Sequence, residues 1–146
     1  MRMARVLRSR PYHEIRQQLE DVKARWSSDS GPFGMYDRIG GVEARSFIAN
    51  AIADACRRLS VTGLAMHRHR ARHGRFPEAL EKLVPEFLQA VPVDPFDGAS
   101  IRFRPETHGS TLYSVGPDGV DGGGRRVGDL RLGEEGDIVF LLGPSG

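Results

Sequence analysis

Cysteine is almost missing from this chain: Cys56 stands alone among 146 residues. That excludes an internal disulfide framework and an all-cysteine zinc site. Lysine is scarce as well, since only Lys23 and Lys82 accompany the arginines. No apolar run approaches the roughly 18 residues of a transmembrane helix, so the chain is not expected to insert into a membrane. The opening stretch MRMARVLRSRP carries basic residues with no apolar core behind them and does not read as a secretory signal. A cytoplasmic location is therefore open on the sequence alone.

What the chain has is a charge split. The formal net charge is only +2. Residues 1–75 hold fifteen Lys or Arg against seven Asp or Glu, a balance of +8. Residues 76–146 hold six against twelve, a balance of −6. Such polarity can steer a partner or let copies associate head to tail. It also admits a nucleic-acid reading, in which Arg57, Arg58, Arg68, Arg70, Arg72 and Arg75 contact phosphates. Against it, these arginines spread around a helix, the second half is acidic and no reader module is present.

Periodicity divides the chain at Gly41, into a helical extension and linker over 1–41 and an α+β domain over 42–146. Tyr12, Ile15, Leu19, Val22 and Trp26 recur at helical spacing over 12–26. Ser27 to Gly41 reads as a linker by composition. Glu43 to Arg72 is the longest periodic stretch. Phe47, Ile48, Ala51, Ile52, Ala55, Leu59 and Met66 form one apolar stripe, with Cys56 on or beside it. Gly63 is expected to mark a bend, and Gly74 to cap the helix end. Phe76-Pro77 opens a short second helix with Leu80, Leu83, Val84, Phe87 and Leu88 facing inward. VPVDPFD (91–97) is a turn-rich connector. From Ser100 the period changes to two. Ile101 and Phe103, then Thr111, Tyr113 and Val115, predict an antiparallel hairpin turning at Thr107–Gly109. Asp137 to Leu142 predicts a last strand. The expected architecture is a long helix packed on a small three- or four-stranded antiparallel sheet.

Catalytic constellations are not evident. Ser110 and Ser114 lack a convincing histidine and acid. Asp94 and Asp97 flank Pro95-Phe96 and read as a rigid turn rather than a general acid–base pair. His69 and His73 share a helix face, but a third ligand and the glutamate of a zinc hydrolase are missing. They read as a solvated helix end whose cationic groups suit the negative pole.

The most informative stretch is LYSVGPDGVD (112–121). A short strand runs into a Pro-Asp-Gly turn and a glycine-rich loop with spaced carboxylates, an arrangement suited to a hard cation. The residues also admit a plainer reading: Asp118 makes the turn, and Asp121, Asp129 and Asp137 are solvated. Arg125 and Arg126 are alternative partners for the carboxylates.

The order of motifs resembles the C-terminal domain of the major pseudopilin of bacterial type II secretion. The residues that carry the resemblance are His73-Gly74-Arg75-Phe76-Pro77, Leu80 to Leu83, Val91-Pro92-Val93-Asp94-Pro95-Phe96, Leu112 to Gly119, and Asp137-Ile138. Together they cover about residues 55–140. The resemblance implies a non-enzymatic, pseudopilin-like structural or protein-interaction domain with calcium as its cofactor. It assigns the calcium ligands to the carboxylates of Asp118 and Asp137, backbone oxygens near Leu112 and Val115, and Ser114, with Asp121 less securely matched. It implies other proteins or further copies of the chain as partners, and an extracytoplasmic, periplasmic setting.

Overall fold

One helix dominates the computed structural model, which describes residues 12–18, 21, 35–106, 109–125 and 136–143. It is α1, Met35–His73. Three strands follow: β1 (Arg102–Glu106), β2 (Gly109–Ser114) and β3 (Ile138–Leu142). They form one antiparallel sheet in the order β1-β2-β3. The α+β architecture expected from the periodicity is present, with three strands among the described residues. No helix of the described residues is long and apolar enough to cross a membrane.

α1 starts earlier than the sequence suggested. Residues 35–41 are helical, although their composition reads as linker. Each glycine in a helix costs about 1 kcal/mol against alanine. That cost is incremental once a long helix is nucleated downstream, because each added residue contributes one more backbone hydrogen bond. The other end stops where glycine predicts. Gly74 adopts a φ of 76°, and its N–H donates to the Arg70 carbonyl at 2.8 Å, closing the helix in a left-handed cap.

The buried stripe of α1 is Ala51, Ala55, Leu59, Thr62, Ala65 and Met66. Phe47, Ile48 and Ile52 flank it, partly buried against the core. The spacing of three and four residues places one face on the sheet. There the stripe meets Leu112, Ile138 and Leu142, which belong to the same buried cluster. Two sequence readings change. Cys56 is exposed; it follows Ala55 by one residue, about 100° around the helix, and so leaves the stripe. Gly63 lies within an unbroken helix, and its function is clearance. A Cβ built there would come within 2.6 Å of the Phe140 ring. Thr62, buried completely, satisfies its hydroxyl by donating to the Arg58 carbonyl at 2.8 Å.

The expected second helix is reduced to a 3₁₀ turn, Leu80–Leu83. Its two leucines are buried as predicted. The connector after it folds into a tight turn. The Asp94 N–H donates to the Ala99 carbonyl at 2.6 Å and the Gly98 N–H to the Asp94 carbonyl at 3.0 Å.

Residues 12–18 are helical and lie against this turn. Tyr12 and Ile15 are buried. The Tyr12 ring meets Phe96 edge-on at 5.3 Å between centroids, and the His13 N–H donates to the Pro95 carbonyl at 3.0 Å. Leu19, Val22 and Trp26, which the periodicity places on the same helix, lie outside the described residues.

Candidate functional site: a glycine loop held on the outer face of the sheet

β2 is the central strand, and Ser110 to Ser114 are all buried. A strand alternates its side chains between two faces, so burial of all five needs a cover on each side. α1 covers the face of Ser110, Leu112 and Ser114. The other face, with Thr111 and Tyr113, is covered by the glycine loop after the Pro117-Asp118 turn. A Cβ at Gly124 would come within 2.9 Å of the Tyr113 ring and 3.2 Å of the Thr111 methyl. Only glycine lets the backbone approach the sheet this closely.

Asp137 anchors the loop. It is buried and stands immediately before β3. Its Oδ1 accepts the Gly122 N–H at 3.1 Å, and its Oδ2 accepts the Gly124 N–H at 2.7 Å. Two arginines of β1 reach the loop from the same face. The Arg104 Nη1 donates to the Gly123 carbonyl. The Arg102 Nε donates to Asp121 Oδ2 at 3.0 Å. Asp121 also accepts the Gly123 N–H at 2.9 Å. That backbone bond, with help from Tyr113 and Arg102 and against a smaller effect of burial, lowers the Asp121 pKa. Burial, and then the neighbouring Asp121, raise the Tyr113 phenol.

Arg102 also joins the loop to the connector. Its Nη2 donates to Asp97 at 2.5 Å and its Nη1 to Asp94 at 3.4 Å. Burial alone would raise the Asp97 pKa; the Arg102 hydrogen bond and charge overcome it, and the net shift is downward. Burial likewise opposes the charged form of Arg102, and the Asp97 and Asp121 carboxylates outweigh it and raise its pKa.

Asp94 does more than close one end of a rigid turn. Its side chain is fully buried. Oδ1 accepts the Phe96 N–H and the Ser114 hydroxyl, both at 2.9 Å. Oδ2 accepts the Val115 N–H at 2.9 Å and the Arg102 contact. Four donors around one carboxylate tie the connector to the end of β2 just where the Pro-Asp-Gly turn begins. The sequence carried one signal of this, the Asp-Pro-Phe-Asp run, but not the partners twenty residues away.

The residues implied as calcium ligands are distributed as follows. Gly116 and Gly136 are in close contact, since a Cβ on Gly116 would overlap the Gly136 carbonyl oxygen at 2.0 Å. The turn bearing Asp118 and the strand entry bearing Asp137 are thereby brought together at the neck of the loop. Asp118 Oδ1 accepts the Val120 N–H at 3.1 Å. A carboxylate has about four lone-pair sites, so Asp118 and Asp137 both keep oxygen capacity beyond these bonds. Val115 directly precedes the turn, and Leu112 lies mid-strand, paired on both sides with Phe103 and Phe140. Ser114 ends β2. It pairs with Ile138, points to the helix side and gives its hydroxyl to Asp94. Asp137, one residue earlier than Ile138, points to the opposite face. Ser114 and Asp137 thus start from opposite faces at the end of the sheet, where the Asp94 carboxylate joins the Ser114 hydroxyl to Arg102. Among the described residues, no three His, Cys, Asp or Glu side chains form a metal-binding group. The arginines that hold the loop are Arg102 and Arg104, with Arg16 on the turn; Asp129 and Arg126 lie outside the described residues.

At the far end of α1, His67 and His73 are exposed, as expected of a solvated helix end, and His69 is half-buried; each also contacts an aromatic ring. His69 and His73 stack at 4.4 Å, and both meet Phe87 edge-on. His67 meets Phe76.

No family model matches the chain, and neither a curated protein nor a solved structure matches it.

Proposed function

We propose that this chain is a non-enzymatic structural or protein-interaction domain of the pseudopilin type, and that calcium stabilises the loop between β2 and β3. The observation that carries the reading is the neck of that loop. Gly116 and Gly136 touch, Asp118 and Asp137 follow them closely in sequence, and Gly124 packs on the sheet. Calcium takes six to eight oxygens in flexible geometry, which two carboxylates, backbone oxygens such as that of Val115, and water supply. An ion there adds to a loop the protein already organises through Asp137, Arg102 and Arg104. The element order from long helix through short turn to antiparallel sheet supports the same reading, and the partners it implies are other proteins or further copies of the chain. Thermal unfolding in calcium and then in excess chelator tests it. A calcium-dependent rise that Asp118→Asn and Asp137→Asn both remove is the expected result.

Nucleic-acid binding is not favoured by the arginines of α1 or by Arg75 just beyond it. Arg57 and Arg58 pair with Asp54 at 2.7 Å each, Arg72 with Glu86 at 2.7 Å and Arg75 with Glu78 at 3.6 Å. Arg68 and Arg70 lie over the Phe87 and Phe76 rings. A phosphate backbone would have to compete with each of these contacts.

A further inference from the structure

The helical segment 12–18 does more than cover the connector. Along it, the side chains descend onto two neighbouring turns. Tyr12 sits on Phe96, and a Cβ at Gly98 would come within 2.9 Å of the His13 ring. One turn further on, Arg16 Nη2 donates to the Asp118 carbonyl at 2.6 Å. Its Nη1 lies so close to Gly119 that a Cβ there would stand 2.1 Å from it. A guanidinium therefore rests on the Pro-Asp-Gly turn, beside the loop neck, and takes up one of its backbone oxygens.

We propose that segment 12–18 is a cation-sensitive latch, in which Arg16 and a divalent cation compete for the Asp118 turn. This rests on the calcium reading above and adds to it a consequence for the N-terminal segment. Two positive groups on one turn repel at short range, and Arg16 and the turn are only half-exposed, which weakens screening by water. Arg16 also holds an oxygen, the Asp118 carbonyl, that an ion at the neck can use. Whatever factor the docked segment takes from calcium affinity, calcium must take from docking, because the coupling is reciprocal. Calcium entry then loosens Arg16, and with it the buried Tyr12 and Ile15, uncovering Phe96 and the connector turn. In the ion-free state the latch closes that surface.

The test uses the full chain, with calcium chloride as the probe. Isothermal titration gives the affinity of the parent, Arg16→Gln and Arg16→Lys. Hydrogen exchange of the residue 12–18 amides, with and without calcium, reports docking. The latch predicts roughly tenfold tighter calcium binding for Arg16→Gln, within the usual range of coupling between sites. It predicts competition restored in Arg16→Lys, and faster exchange of 12–18 in the parent when calcium is added. Calcium binding to Arg16→Gln but not to the parent also supports it. Equal affinities with unchanged exchange overturn the latch and leave the calcium reading standing. No binding to any of the three proteins at millimolar calcium overturns both.

Discussion

Asp94 and Val115 are joined by a 2.9 Å hydrogen bond from the Val115 N–H to the buried Asp94 carboxylate. The contact bridges 21 positions in sequence and fixes where β2 ends and the loop begins. Asp94→Ala leaves the Phe96 and Val115 amides and the Ser114 hydroxyl without that acceptor. Each buried unsatisfied group costs about 1–3 kcal/mol. The expected outcome is a loss on the order of 3–5 kcal/mol in urea unfolding, with faster hydrogen exchange at 115–119. A loss under about 1 kcal/mol would show that water replaces the carboxylate.

Gly63→Ala separates two effects of opposite sign. Helix propensity favours alanine by about 1 kcal/mol. The new methyl drives into the Phe140 ring, and overpacking of this kind costs about 1–3 kcal/mol. The ring is part-buried and anchored in β3, so the clash is expected to win. The double variant Gly63→Ala/Phe140→Leu should recover part of the loss. A single variant that melts above the parent would mean that the ring moves aside freely.

The pH dependence follows from Asp97 and Asp121. Both have folded-state pKa values below the ordinary 3.8. Their contribution to stability is present above the unfolded value and is lost as pH falls through the lower folded values. Stability should therefore be steady near neutrality and decline in the acid range from about pH 4 downward. Replacing Arg102 with Met removes a partner that both carboxylates share, leaving the Gly123 and Ala99 backbone bonds, and should make that part of the curve shallower. An acid limb unchanged by the substitution would place the sensitive groups elsewhere.

The basic half of the chain is expected not to hold DNA. At about 50 mM salt, where phosphate contacts are strong, fluorescence anisotropy with duplex and single-stranded DNA should show no saturable binding. Saturable, salt-sensitive binding lost in Arg68→Ala/Arg70→Ala would reverse that reading.

How far the sequence revealed this depended on the range of the interaction. The stripe through Ala51, Ala55 and Leu59, the cap at Gly74 and the hairpin across Phe103 and Leu112 were legible, because local periodicity and glycine chemistry determine them. Asp94 was not, because burial of a carboxylate depends on donors gathered from β1 and β2. Gly63 was misread for the same reason, since the ring that requires it lies in β3. At the loop, Asp118 and Asp137 were legible as candidate carboxylates. The strand register, which starts Ser114 and Asp137 on opposite faces, was not. Arg16, a charged residue in an N-terminal helix, gave no sign in sequence of its contact with the Asp118 turn.

The central claim is that calcium stabilises the loop between β2 and β3 through Asp118 and Asp137, and the direct measurement is the thermal midpoint of the full chain in calcium against excess chelator. Calcium at a hundredfold its Kd stabilises a folded state by about 2.7 kcal/mol, which for a domain of this size is a rise of several degrees. The account predicts that rise in the parent, reversed by chelator and absent in Asp118→Asn and Asp137→Asn. An unchanged midpoint in the parent at millimolar calcium would contradict it.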